Sequence, residues 1–230
     1  RLLYEGKAKK IYETEDKDLI IQFFKDDATA FDGKKHDVIR SKGIVNNRCS
    51  ARLFKVLKEH GIPCHFVEII SDREMLVKHL EILPVEVVIR NIVAGSLAKR
   101  LGRREGERCP FPIVEFYYKS DELGDPLIND DHILAFNFAT EEQINKMRTE
   151  GRKINEILKN FFIERGLILV DFKLEFGMHN GELMLGDEIS PDTCRLWDAE
   201  SFEKMDKDRF RRDLGGVKEA YFEVLKRIEG

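Results

Sequence analysis

The chain has 230 residues, long enough for one large domain or two small ones with a sizeable core. Its 42% hydrophobic and 36% charged residues are those of a soluble globular protein, and no apolar run approaches the ~20 residues of a membrane span. The net charge of −4 argues against a nucleic-acid binder.

Cys49, Cys64, Cys109 and Cys194 are scattered without a C-x-x-C pair, and Arg1 to Gly6 hold no apolar leader segment. Four free thiols in a reducing cytoplasm are the expectation, and zinc is disfavoured. Abundant Lys, Arg and Glu, with glutamine only at Gln22 and Gln143, resemble a thermophile's composition.

The first part of the chain reads as β-rich. Gly6-Lys7-Ala8-Lys9-Lys10 puts Lys7 and Lys9 on one face of a strand or loop beside a flexible glycine. Two ammonium groups there suit a polyphosphate, and solvated surface lysines explain the same residues. Neither a Walker A loop nor a G-x-G-x-x-G occurs. Strands are predicted over Ala8–Thr14, Leu19–Phe24, His65–Ser71 and Glu74–Leu80. A helix from Lys42 to His60 carries Leu53, Phe54 and Leu57 on its apolar side, and Gly61 and Pro63 stop it.

From Pro84 the pattern changes. Val85–Asn91 is predicted as a strand, and Gly95-Ser96 opens a short helix to Leu101. Arg90, a helix-capping Ser96 and nearby Lys99 and Arg100 would suit a phosphate monoester. An ordinary capped helix with exposed cations fits equally. Gly102 to Pro110 reads as a charged loop. Asp125, Asp130, Asp131 and His132 outwardly resemble a hard-metal site, but His132 beside Ile133-Leu134 reads as structural. Thr140 and Gln143 form a capping box for a long helix bearing Ile144, Met147, Ile154, Leu158 and Phe161 at helical spacing, ended by Gly166. Val217–Ile228 is a closing amphipathic helix. No internal repeat is present, and a boundary near residues 80–84 without a flexible linker implies closely packed lobes.

The segment Leu169–Asp198 is the richest. Asp171, Lys173 and Glu175 alternate with Phe172, Leu174 and Phe176, so one strand face is apolar and the other charged. Alternating charge is ordinarily the solvated face of a half-covered sheet. Here the strand entry, Leu167-Ile168-Leu169-Val170, is continuously apolar, and Gly186 precedes Asp187-Glu188 where the backbone must bend. Asn180-Gly181 marks a hairpin turn. The convergent carboxylates, followed by Asp192, Arg195 and Asp198, mark the place to look for chemistry.

These residues resemble one family throughout, the SAICAR synthetases. Ile82-Leu83-Pro84-Val85-Glu86-Val87-Val88-Ile89-Arg90 through Ala94-Gly95-Ser96 is similar to its first motif, and Leu169-Val170-Asp171-Phe172-Lys173-Leu174-Glu175-Phe176-Gly177 to its second. Tyr4-Glu5-Gly6-Lys7-Ala8-Lys9, Gly124-Asp125-Pro126-Leu127-Ile128-Asn129, and Gly186-Asp187-Glu188 through Arg195-Leu196-Trp197-Asp198 match as well.

The resemblance implies an α+β fold of two closely packed lobes, similar to protein kinases and ATP-grasp enzymes, with ATP in the cleft between them. Residues 1–82 would be a β-rich nucleotide-binding lobe, and 83–230 an α+β lobe with the substrate and metal site. The implied enzyme is a cytoplasmic ATP-dependent ligase joining carboxyaminoimidazole ribonucleotide to L-aspartate through an acyl phosphate. ATP is the cosubstrate, Mg²⁺ the cofactor, and a homodimer the assembly left open; nucleic acid and membrane are not partners. Carried over by position, Lys7 and Lys9 would hold phosphates, backbone groups of Lys78 and Leu80 the adenine, and Glu175 the ribose. Asp187, with Glu175, would hold Mg²⁺. Arg90, Ser96 and Arg195 would bind the ribonucleotide's phosphate, with Asp171 and Lys173, and Asp187 through the metal, at the reacting centre. A small-molecule kinase or a non-catalytic nucleotide sensor would share the ATP cleft but make no amide.

One point of geometry is left open. With a plain two-residue turn at Asn180-Gly181, Glu188 stands opposite Lys173, and Asp187 faces away from Glu175. A bulge at Gly177 or Gly186, or a longer loop, would reverse this.

Overall fold

The computed structural model describes residues 1–230. Strands β1 (Leu2–Glu5), β2 (Lys9–Glu13), β3 (Leu19–Phe24), β4 (Asp27–Ala30) and β5 (Lys35–Val38) precede helix α1 (Lys42–Glu59). Then come β6 (Phe66–Ser71), β7 (Glu74–Lys78), β8 (Glu81–Ile92), α2 (Gly95–Leu101), β9 (Arg108–Tyr118), β10 (Leu127–Ile128), α3 (Asp130–Ala135) and α4 (Glu141–Ile163). The chain closes with β11 (Leu167–His179), β12 (Glu182–Leu185), β13 (Cys194–Asp198), α5 (Asp208–Arg211) and α6 (Val217–Glu229).

The first sheet has the antiparallel order β1-β2-β3-β7-β6. The second runs β10-β9-β8-β11-β12, and β13 pairs with the first half of β11. The first sheet thus ends at Lys78 and the second begins at Glu81, so the expected division at 82–83 falls two residues inside β8. One cluster of 42 buried apolar residues draws on both sheets and on α1, α4 and α6, so the lobes share a core. No helix is long and apolar enough to cross a membrane.

The two long helices follow their sequence patterns. On α1, Val45, Cys49, Leu53, Phe54 and Leu57 are fully buried. On α4, Thr140 Oγ1 accepts from the Gln143 N–H at 3.1 Å and the Gln143 side chain returns the bond at 2.9 Å, completing the expected capping box. Its stripe Ile144, Met147, Ile154 and Leu158 packs on β8 and β11. Gly151 permits this approach, because a Cβ there would stand 2.9 Å from Ile89 Cδ1.

Several expectations are corrected. The charged loop at Gly102–Pro110 is cut short, because β9 begins at Arg108 and pairs with β8. Its Pro110 and Pro112 and its charged ends concealed a strand whose pairing is set by tertiary context. β8 begins at Glu81 rather than Val85, with Pro84 inside it at an irregularity in the pairing with β11. Ser96 does not cap α2: the cap position is Ala94, without a side-chain bond, and Ser96 lies within the first turn. β1, the β4–β5 hairpin, β10, α3 and α5 are too short for a periodic signal.

Candidate active site

The second sheet's register builds a polar face. Across β11 and β8, Asp171 stands opposite Arg90, Lys173 opposite Val88 and Glu175 opposite Glu86. Across β8 and β9, Val88 meets Glu115 and Glu86 meets Tyr117; across β11 and β13, Asp171 meets Arg195. Directly opposed residues share a face. The alternation at Asp171, Lys173 and Glu175 is therefore not a solvated edge but one row of a charged floor beneath a cavity of about 480 Å³. The first sheet closes this cavity with Lys7, Lys9 and Tyr4, and the β4–β5 hairpin with Thr29 to Gly33.

At one end of the floor Lys173 Nζ lies 3.3 Å from Glu175 Oε2, 3.5 Å from Glu86 Oε1 and 3.8 Å from Asp187 Oδ2. Burial disfavours its charge, but the three carboxylates outweigh burial and hold its pKa well above the ordinary lysine value. Lys119 pairs with the other oxygen of Glu175. Burial raises the Glu86 carboxyl to about 6, against the pull of Lys173.

The hairpin resolves the open register. Its turn is the two-residue Asn180-Gly181, both in left-handed backbone, and Phe176 pairs with Leu185 without a bulge between β11 and β12. The ladder stops at Gly186, whose N–H donates to the Glu175 carbonyl at 2.8 Å. Asp187 then turns with φ of +54°. That turn, rather than a bulge or a longer loop, brings both carboxylates to Lys9, whose Nζ lies 2.5 Å from Asp187 Oδ1 and 2.6 Å from Glu188 Oε1. Burial opposes ionisation of Asp187, yet Lys9 and Lys173 hold its carboxyl far below the usual range.

At the other end Asp171 sits between two guanidinium groups, 3.0 Å from Arg90 Nη1 and 3.0 Å from Arg195 Nη1. Arg195 Nε donates to Asp208 at 2.8 Å. Arg90 is buried with every donor engaged: Glu115 at 2.9 Å, Asp171, the Ala94 carbonyl, Ser96 Oγ at 2.9 Å and Tyr117 Oη at 3.2 Å. Arg100 also donates to Ser96.

The structure therefore gathers Lys7, Lys9, Arg90, Asp171, Lys173, Glu175, Asp187 and Arg195 around one cavity, with Ser96 behind Arg90. Lys7 and Lys9 part company, since Lys7 pairs with exposed Asp121. Lys78 and Leu80 lie outside the cavity lining, and the Lys78 N–H is taken by the His65 carbonyl at 2.7 Å. Asp198 does not join the site; it pairs with Arg227 at 2.9 Å and caps the turn to Ser201. Asp192 does line the cavity, its carboxylate held by Lys42 and Tyr221. His132 is structural as expected, completing a capping box with Asn129, and Asp130 pairs with Arg148. Glu86, Glu115 and Tyr117 were findable by extending the strand register, whereas no local signal marks Lys119.

Glu175 and Asp187 share Lys173, and these hard oxygens suit Mg²⁺, which needs only one or two protein carboxylates beside substrate oxygens. No group of three metal-ligating side chains forms a complete protein cage.

The SAICAR synthetase family model matches residues 2–228. The phosphoribosylaminoimidazole-succinocarboxamide synthase of Coprothermobacter proteolyticus is 57% identical over 99% of this chain and 97% of its own. The crystal structure of the synthase from Ehrlichia chaffeensis superposes with a TM-score of 0.98 at 48% identity, covering 100% of this chain and 98% of that one. A SAICAR synthetase in complex with ADP gives 0.96 at 50% identity, over 99% and 97%.

Proposed function

The chain belongs to the SAICAR synthetase family, and on that premise we propose how its cavity carries the family's reaction. The protein is an ATP-dependent ligase of purine biosynthesis, joining carboxyaminoimidazole ribonucleotide to L-aspartate to give SAICAR, ADP and phosphate. The observation that carries the site assignment is the charged floor itself: an arginine-rich end, a lysine ringed by carboxylates, and a lysine from the other sheet meeting them.

A carboxylate is a poor acyl donor. Its oxygen attacks the γ-phosphorus of ATP, the bond to ADP breaks, and an acyl phosphate forms. The aspartate amine attacks the acyl carbon, phosphate leaves, and the nitrogen loses a proton. The protein must align anions and offset their charge, which is positioning plus electrostatics. Lys7, Lys9 and Lys173 face the triphosphate. Glu175 meets the ribose, and the adenine falls to backbone groups of Lys78 and Leu80 beyond the cavity lining, the Lys78 carbonyl rather than its N–H, which the His65 carbonyl takes. Arg195 and Ser96 meet the ribonucleotide's phosphate beside Arg90. Asp171, fixed by both arginines, orients them toward the reacting carboxylate. Asp187 and Glu175 would hold Mg²⁺, which when bound offsets charge on the transferred phosphoryl group. A cytoplasmic homodimer completes the reading. Four free thiols are consistent with a reducing compartment, and the exposed Val67, Ile69 and Ile70 on edge strand β6 offer a surface for a second copy.

The test is ADP release with each acceptor omitted in turn, followed by mass analysis of the product. Release that needs both the ribonucleotide and aspartate, with one amide formed per ADP, is expected. Release independent of aspartate, with a phosphate ester of the acceptor's hydroxyl found by mass, would instead make the protein a kinase.

A further inference from the structure

The left-handed turn at Asp187 needs a support, and two buried polar side chains without a role in the reaction stand against it. Positive φ is uncommon for a residue with a Cβ, and although aspartate adopts it more readily than most, contacts that hold the turn favour it further. Gln22 is one of only two glutamines in the chain and is 4% exposed. Its Nε2 donates to the Asp187 carbonyl at 3.2 Å. Ile11 pairs with Gln22 and Lys9 with Phe24, so Gln22 and Lys9 stand on one face of the first sheet. One takes the backbone of Asp187 and the other its carboxylate.

His65 is the second. Its N–H donates to the Leu185 carbonyl at 2.9 Å and its carbonyl accepts from Lys78 at 2.7 Å, so its main chain ties the end of β12 to the end of β7. Its ring is 3% exposed and packs edge-on against Phe54 at 5.1 Å. A Cβ on Gly186 would stand 3.6 Å from its Nδ1, so the ring abuts the backbone just before Asp187. Nε2 is buried without a partner in the protein. Burial brings the imidazole pKa down to about 4, opposed by Asp187, so the ring is neutral at pH 7.

We propose that Gln22 and His65 are positioning residues that clasp the Gly186–Asp187 turn and thereby aim the Asp187 carboxylate into the cavity. The proposal rests on the reading of Asp187 as a residue of the metal-nucleotide site. Without the clasp, the hairpin continues in register and Asp187 falls opposite buried Leu174, away from Lys173.

The test compares Gln22→Met, His65→Phe, His65→Gln and Asp187→Asn. Gln22→Met keeps length and removes the donor; His65→Phe keeps the ring against Phe54 and removes both nitrogens; His65→Gln restores a polar tip. Readouts are kcat, the KM for aspartate, the Kd of Mn²⁺ in the presence of a non-hydrolysable ATP analogue, and amide exchange over residues 183–190. Gln22→Met should raise the Mn²⁺ Kd and lower kcat roughly three- to tenfold, as loss of one hydrogen bond allows, and His65→Phe, whose ring loses only its polar packing contact with Gly186, should move both readouts in the same direction. Faster amide exchange at the turn should accompany this, with the aspartate KM unchanged. His65→Gln should return toward the parent on all readouts.

Parent-like Mn²⁺ binding and exchange in both Gln22→Met and His65→Phe would overturn the clasp, and so would His65→Gln failing as badly as His65→Phe. Exchange is read whether or not a variant turns over, so an inactive protein still decides. Normal Mn²⁺ binding in Asp187→Asn would overturn the reading beneath the clasp instead. A dead Asp187→Asn beside unaffected Gln22 and His65 variants would sink the clasp alone.

Discussion

Lys9→Met is the most informative single perturbation, because Lys9 is the ammonium that the Asp187 turn was built to meet. Its Nζ lies 2.5 and 2.6 Å from two carboxylates, and the three side chains are 18%, 11% and 4% exposed. Removing one partner from a buried pair costs about 3–5 kcal/mol. The site opens on a cavity, so the lower end, about 3 kcal/mol, applies. For a chain of this length each kcal/mol shifts Tm by about 2–4 °C, giving a loss of roughly 6–12 °C at pH 7. The sign with pH follows from Asp187. Its folded pKa lies far below its ordinary 3.8, so its stabilisation is complete above that value and disappears as pH falls toward the folded one. Parent and variant should therefore converge in acid. Without Lys9 the two carboxylates are also open to a divalent cation. Mn²⁺ at 100 times its Kd contributes about 2.7 kcal/mol, or roughly 5–11 °C of Tm recovered in the variant without nucleotide. In the parent the ion must displace an ammonium, so its shift should be smaller. The assay is a thermal melt with and without Mn²⁺ across pH. An equal Mn²⁺ shift in both proteins, or none in the variant, would refute the reasoning.

Arg90→Lys loses the planar fork whose donors reach Glu115, Asp171, Ser96 and Tyr117, so the ribonucleotide KM should rise at least tenfold; a rise confined to aspartate would reassign the residue. Asp187→Asn should lower kcat by about 10- to 150-fold across a Mg²⁺ titration, one charge-assisted contact being worth about 1.5–3 kcal/mol. Glu188→Gln, whose other oxygen already accepts from Ser190 at 2.6 Å, should be milder, and near-parent activity in both would remove this hairpin end from the metal site. Glu86→Gln should lower turnover but raise stability. Burial lifts the Glu86 carboxyl from 4.5 to about 6, so its native state is favoured below pH 4.5 and loses roughly 2 kcal/mol as pH rises through 6. The variant should melt about 4–8 °C above the parent at pH 7.5 and show no such advantage at pH 4.5; a pH-independent difference would exclude titration as the cause.

The long elements and the polar strand were legible because each carries a full period of its pattern. Thr140 and Gln143 marked where α4 begins, and Asn180-Gly181 fixed the hairpin turn, since only a tight left-handed pair joins strands so closely. β9 was missed because Pro110, Pro112 and the charged ends argue locally against a strand that its neighbours β8 and β10 nevertheless pair. Ser96 was misplaced as a cap because its hydroxyl is taken by Arg90 and Arg100, which no sequence spacing announces. Asp198 looked like a third member beside Asp192 and Arg195. Yet β13 pairs with β11 antiparallel, so Arg195 meets Asp171 while Asp198 is carried to Leu167, at the far end of the strand.

The register conflict and the crowding of ammonium groups on carboxylates have a common origin. A continuous hairpin would have placed Asp187 on the apolar side of β11, within one sheet. Leaving the ladder at Gly186 puts its carboxylate instead at Lys9, on the other sheet, so the same side chain joins both lobes and lines the cavity. Lys9 thereby has two competing kinds of partner, the carboxylates it now holds and the phosphates assigned to it. Phosphates that draw Lys9 away would leave Asp187 and Glu188 under-neutralised at the moment a cation arrives with them. A divalent ion should accordingly bind well only together with the triphosphate, and the energy to open the Lys9 pairs comes from that joint arrival rather than from either ligand alone.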